Sequence, residues 1–419
     1  MDQTEHSDEA SEGKPEPRDA APHRRRRRWP RAAAVGAAVF LVWLVWSVGG
    51  ALTAPGTDAV DARLAEWART NYLGWIVDTL EHAQYALNQP QIGGTVQGGV
   101  PDVSPIAGEL PPDGAASAPP SDAPSAQATQ SPSPSPSPSP TATPFPAPSP
   151  ITPLVNPPLP GEGVWKTLAT LQGQPVLRVA YLRPDAQHTS YLDTVMWIDQ
   201  NLAKLILHPG YLVPGGSGWS QAFDVPTSQR DSLLATFNSG FRLTDANGGY
   251  WADGKTAAPL REGAASAVFY KDGTVNIVKW GIAAPGPDVA AVRQNLVLLV
   301  DQGKVSPLVD SLTTPVWGNT WTTGFFLWRT AIGIRADGSL VFVIGPALTM
   351  GSLARMMKAA GAVRAMELDQ NPSWTSLMTY THPKHGVAVP HMLTNDTIPS
   401  PERYLYPSSR DFVAVQARS

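Results

Sequence analysis

Between Ala32 and Leu52 the chain runs for 21 residues without a charged side chain, AAAVGAAVFLVWLVWSVGGAL. No other feature constrains the fold as strongly. An apolar helix of that length, rising about 1.5 Å per residue, matches the roughly 30 Å hydrocarbon core of a bilayer. A cleaved signal peptide has a shorter apolar run before its small-residue exit. The length therefore favours an anchor, although residues 47–54 are rich in small side chains. Charge sets the orientation. Five arginines at 24–28 and Arg31 precede the run, and no Lys or Arg occurs between Arg69 and Lys166. The positive-inside rule then expects a single-pass cell-membrane protein with its N-terminus in the cytoplasm and everything after residue 52 outside.

Four further segments follow from composition. Residues 1–31 carry seven acids and eight bases and read as a disordered cytoplasmic tail. The arginine cluster alone would fit nucleic acid, but the adjoining apolar run and a net charge of -4 argue against that partner. Residues 53–90 predict one or two membrane-proximal helices. Asp58, Asp61 and Glu66 load the early turns with acid, and Leu64, Trp67, Ile76, Val77, Leu80 and Tyr85 form a partial apolar stripe, suited to a stalk or a dimerisation helix. Residues 91–161 read as a linker. Of 43 prolines, 20 lie between 101 and 160, and 131–140 is a strict Ser-Pro alternation favouring polyproline II. About 50 such residues extend on the order of 150 Å, enough to carry a domain through a cell wall. Residues 162–419 remain as one folded domain. Cysteine is absent, which removes disulfides, thiolate zinc sites and a cysteine nucleophile.

Within that domain, two Asp-Gly pairs between alternating apolar runs, at Asp272-Gly273 and Asp337-Gly338, predict hairpins. The runs 233–237 and 296–300 read as buried strands. Leu353, Met356, Met357 and Ala360 follow helical spacing up to Gly361, and 362–368 returns as a strand. The expected fold class is α+β, a mixed β-sheet with hairpins and a few helices.

Several residues carry possible chemistry. Asn238, Ser239 and Gly240 end a strand where a polar side chain and close backbone meet. Residues 247–254, with Tyr250 and Trp251, read as an aromatic loop of the kind that packs on a sugar ring, or as a plain surface turn. Arg261 and Arg329 stand beside glycines at strand starts. Their planar donor forks fit phosphate oxygens, and they equally fit carboxylate partners. On a strand ending at 368, Glu367 and Asp369 share one face while Met366 and Leu368 share the other. Buried paired carboxylates suit glycosidic cleavage, metal binding or structural ion pairs. His382, His385 and His391 lack the thiolates or H-E-x-x-H helix of a zinc site, so no metal and no cofactor is expected.

Taken together, these motifs resemble the phosphodiester glycosidase family, over roughly residues 175–380. Asn238, Ser239, Gly240, Phe241 and Arg242 resemble its Asn-Gly-Gly-Phe-Phe strand end. Arg329, Thr330, Ala331, Ile332 and Gly333 are similar to its Arg-Thr-Ala-x-Gly. Leu368, Asp369, Gln370, Asn371, Pro372 and Ser373 stand where it has Leu-Asp-Gly-Gly-Gly-Ser. Three glycines are thus replaced by Gln370-Asn371-Pro372, and proline removes a backbone amide, so a reshaped pocket is expected. The resemblance implies an extracytoplasmic hydrolase that cleaves a sugar-1-phosphate diester of wall or exopolysaccharide. Asp369 would be nucleophile or base, with Glu367 orienting it. Arg329, Thr330, Arg261 and Arg242 would face phosphate. Asn238, Gly240 and Asn371 would face sugar or phosphate oxygens, and Trp251 or Trp374 the ring. The rival readings are a non-catalytic polysaccharide-binding module on a wall-spanning stalk, and a wall-polymer phosphotransferase.

Overall fold

A computed structural model describes residues 29–103, 143–281, 283–311, 315–317, 324–394 and 399–418. Residues 1–28 of the expected tail and the Ser-Pro core of the linker lie outside these residues, and 29–31 begin a helix. The chain divides into two units, 1–50 and 51–419. The first holds most of helix α1 (Trp29–Leu52). Its stretch Ala32–Leu52, mean hydropathy 2.1 and unburied, is long and apolar enough to cross a membrane.

The second unit is built on an eight-stranded sheet. Its order is Lys166–Leu171, Gln174–Leu182, Asp193–Ile198, Leu340–Leu348, Leu327–Arg335, Ala362–Glu367, Leu298–Asp301 and Lys304–Val305. The alternation in 340–344 explains how it packs. Leu340, Phe342 and Ile344 enter one buried cluster with Phe237 and Val413. Val341 and Val343 point the other way, against Leu353, Met356 and Met357 of the helix that follows this strand. Both faces are therefore covered. A five-stranded sheet shares the first cluster, in the order Val387–Met392, Leu377–Lys384, Leu233–Asn238, Phe412–Ala417 and Ala203–His208. A second five-stranded sheet carries the expected Asp272-Gly273 hairpin, Ala265–Tyr270 with Val275–Lys279.

The fold class is α+β, as the sequence predicts, with both hairpins present. The strand-helix-strand unit is present too, but its strands are not neighbours. Leu327–Arg335 lies between them and pairs antiparallel with each. The connecting helix, Met350–Ala359, starts on a reciprocal cap between Thr349 and Ser352 and stops before Gly361, whose φ of +90° suits glycine. The expected aromatic loop is instead strand Tyr250–Ala252, paired across the Asp253-Gly254 turn with Lys255–Ala258.

The membrane-proximal segment forms two helices, α2 (Val60–Thr70) and α3 (Gly74–Leu87); Met350–Ala359 is α4. Helices α2 and α3 belong to the domain unit. Arg403 reaches Asp58 at 2.9 Å, Arg410 reaches Glu66 at 2.6 Å, and Asn371 reaches Glu81 at 3.1 Å. Past α3, Gly93 bonds Gln187, while Pro101 and Asp102 receive Lys166. Later in the same stretch, the Phe145 amide reaches Asp199. Both ends of the linker thus rest on the same unit. Gly93, Pro101, Asp102 and Phe145, all inside the expected linker 91–161, therefore make contacts to the folded unit.

Candidate active site

The edge where Leu233–Asn238 and Ala362–Glu367 end together gathers most of the predicted polar residues. Asn238 donates to Thr330 Oγ1 (2.8 Å) and accepts from the Ser376 amide (3.1 Å). Thr330 in turn donates to the Asp369 carbonyl at 2.7 Å, and the Asp369 amide bonds Ser239 O at 3.0 Å. These bonds pin the turn after Glu367 by its backbone and leave the Asp369 carboxylate to project. Gly240 packs closely: a Cβ there would lie 3.1 Å from the guanidinium carbon of Arg293 and from Asn295 Oδ1, so both side chains would have to shift slightly. Asn295 also holds the Glu367 carbonyl (2.9 Å).

The two acids part company here, each with its own arginine. Glu367 is fully buried and pairs with Arg329 at 2.7 Å, itself fully buried. Arg329 also bonds Gln370 and the Leu348 carbonyl. Burial raises the Glu367 carboxyl to about 7, against the downward pull of Arg329. Asp369 instead faces Arg410, 3.6 Å away, and accepts the Asn371 amide at 3.0 Å. Burial raises it to about 6, with Arg410 and that amide opposing.

Asp369 lines a cavity of about 330 Å3 with Arg242, Gln370, Asn371, Trp374 and Arg410 on the domain side. Helix residues Arg69, Glu81, His82 and Tyr85 close the other side. Trp374 is sandwiched by Arg403 and Arg410, whose guanidinium carbons lie 4.5 and 4.6 Å from its ring centre. Arg410 donates to Glu66 through Nη2, while its Nε and Nη1 are buried without a hydrogen-bond acceptor among the described residues. Burial alone would raise the Glu66 carboxyl, but Arg410 and Arg242 bring it below its ordinary value.

Of the sequence-predicted residues, Asp369, Arg242, Asn371 and Trp374 meet in this cavity. Glu367, Arg329, Thr330, Asn238 and Gly240 stand behind it as its support. Arg261 lies elsewhere: it is exposed, bonds Asn247 at 2.7 Å and lines a different cleft. Trp251 packs against Val268 and Val292 of the second five-stranded sheet. The histidines separate as well. His382 meets the Arg230 carbonyl, His385 meets Asp231 and His391 meets Thr381. Sequence reasoning missed Arg410, Glu66, Arg69 and Glu81. Glu66, Arg69 and Glu81 are three of seven charged residues in 53–90, and nothing in the sequence sets them apart from the other four.

Residues 231–393 match the sequence profile of the phosphodiester glycosidase family. A search of curated proteins finds no match. Among solved structures, the chain is similar to the catalytic domain of zebrafish N-acetylglucosamine-1-phosphodiester α-N-acetylglucosaminidase auto-inhibited by its pro-peptide. Identity is 16% and the TM-score 0.41, over 61% of this chain and 88% of that one. A protein from Synechocystis is similar at 14% identity and a TM-score of 0.34, over 60% of this chain and 64% of that one. The matched region holds Arg242, Arg329, Glu367, Asp369, Asn371 and Trp374, whereas Glu66, Arg403 and Arg410 fall outside it.

Proposed function

We propose that the chain is a membrane-anchored hydrolase of the phosphodiester glycosidase type, working outside the cytoplasmic membrane on a sugar-1-phosphate diester. The observation that carries this reading is the buried carboxylate of Asp369, facing Arg410 Nη1, which has no hydrogen-bond acceptor among the described residues, in a cavity that Trp374 also lines. Glycosidic cleavage here breaks the bond from sugar C1 to a phosphate oxygen. The leaving group is a phosphate monoester, far less basic than a sugar alkoxide, with a second pKa of about 6. It needs charge stabilisation more than a strong acid. Arg242 keeps the phosphate role that the resemblance implies for it, and Arg410, also at the cavity, takes that role in place of Arg329 and Arg261. Asp369 attacks C1, or draws the proton from an attacking water. Trp374 and Asn371 hold the sugar, and the Glu367–Arg329 pair positions the Asp369 turn through Gln370.

The test is release of free sugar from a sugar-1-phosphodiester by the purified full chain. A methyl diester of N-acetylglucosamine 1-phosphate is a suitable first substrate, given the zebrafish enzyme. Retention of the glycan without turnover would favour a binding module. Transfer of the phosphate to an acceptor without free sugar would favour a phosphotransferase.

The pH profile follows from Asp369. Its carboxyl is raised to about 6 by burial, so the ionised, active form is scarce at pH 5 and dominant at pH 7. We expect kcat/KM to climb about tenfold per unit below that value and to level off above it. A profile flat from pH 5 to pH 8 would remove Asp369 from the role.

A further inference from the structure

A second space adjoins the carboxylate cavity. A groove of about 490 Å3 runs between α2, α3 and the 371–374 turn, and it shares Arg69, Glu81, Tyr85, Asn371 and Trp374 with the first. Away from those shared residues its walls are mainly apolar, with Leu64, Trp67, Ile76, Val77 and Leu80. Its rim is hydrophobic and in water: Ile76 is 37% exposed, Leu80 64% and the neighbouring Trp75 69%. Side chains of this kind clustered on one surface mark a ligand or lipid contact. The chain leaving α1 is held against the same helix pair. Arg63 of α2 donates to the carbonyls of Leu52 (3.1 Å), Ala54 and Gly56 (2.7 Å).

We propose that the second alcohol of the phosphodiester substrate is a lipid, whose hydrocarbon chain lies in the groove between α2 and α3 while its sugar phosphate occupies the Asp369–Arg410 cavity. The proposal rests on the hydrolase reading above and names its substrate class. The polar-to-apolar order of the two adjoining spaces matches the order of groups in such a molecule: sugar, phosphate, alkyl chain. The bond chemistry is unchanged. The C1–O bond to phosphate breaks, the oxygen of water joins C1, and the lipid departs as its phosphate monoester. Helices α2 and α3 then supply most of the apolar half of the substrate site and one wall of the polar half.

The experiment uses the full chain in phosphatidylcholine nanodiscs with two diesters of the sugar 1-phosphate it turns over, one methyl and one octyl. Burying several methylenes predicts a kcat/KM at least about tenfold higher for the octyl diester, carried mainly by KM. Leu80→Ser and Ile76→Ser change exposed side chains, so folding is retained, and each lowers the octyl-to-methyl ratio about threefold or more. An octyl preference that both variants leave intact would come from partition into the bilayer and overturns the groove. Equal rates for the two diesters in the unaltered chain overturn it as well. Turnover of neither diester overturns the hydrolase reading itself, an outcome distinct from the other two.

Discussion

Asp369→Asn lowers kcat/KM for a sugar-1-phosphodiester by about a thousandfold or more, the usual scale for loss of a catalytic carboxylate. The substitution keeps shape and hydrogen bonding. The asparagine carbonyl still accepts the Asn371 amide that Asp369 Oδ1 takes at 3.0 Å. Arg410 keeps its partner Glu66 at 2.6 Å, so no cation is left alone in the cavity. Stability therefore separates the explanations. Burial raises the Asp369 carboxyl to about 6, so the folded chain holds that proton more tightly than the unfolded chain. Between the ordinary carboxylate range and about 6, that raised carboxyl makes the native protein lose stability as pH rises. The asparagine variant escapes this loss, and its Tm at pH 8 should equal or exceed that of the unaltered protein. A variant that is both stable and active would end the assignment of Asp369.

What the sequence makes legible here is local. The two Asp-Gly hairpins, the capped helix ending before Gly361 and the strand before Asp369 each depend on residues a few positions apart. Period-two alternation also sends Met366 and Leu368 to the core and Glu367 and Asp369 away from it. It does not show that the turn after Glu367 directs one acid behind the cavity and the other into it. Nor does it reveal the arginines that divide them, since Arg410 stands 41 positions beyond Asp369, outside any motif. Glu66 lies further still in sequence and before the proline-rich linker, although it meets Arg410 at 2.6 Å. A composition boundary looks like a domain boundary when read along the chain, but the packing of Asp58, Glu66 and Glu81 crosses it. Arg261 and Trp251 show the reverse case. Both are residue types suited to a sugar phosphate, and the second five-stranded sheet carries Trp251 into other packing while Arg261 faces another cleft.

Arg329→Met should destabilise the domain by about 3–5 kcal/mol, because it strands a buried carboxylate. In a domain of this size that shift lowers Tm on the order of 10 °C. Glu367 is fully buried, its Oε1 lies 2.7 Å from Arg329, and its Oε2 has no hydrogen-bond partner among the described residues. Burial already raises its carboxyl to about 7, and Arg329 is the chief group holding it down. Without the arginine the value climbs further. A carboxyl raised in the folded state binds its proton more tightly there, so stability falls as pH rises from the ordinary carboxylate range through the raised value. The variant should therefore lose more at pH 8 than at pH 5, where Glu367 is protonated and neutral. A second change removes the stranded group: Arg329→Met with Glu367→Leu should recover most of the loss, since an apolar pair of similar volume avoids both desolvation costs. Equal losses at the two pH values, or a double variant as unstable as the single one, would show that the pair is not what the buried strand end requires. With stability restored, any remaining fall in kcat/KM measures how far Arg329, through Gln370, holds the turn that aims Asp369.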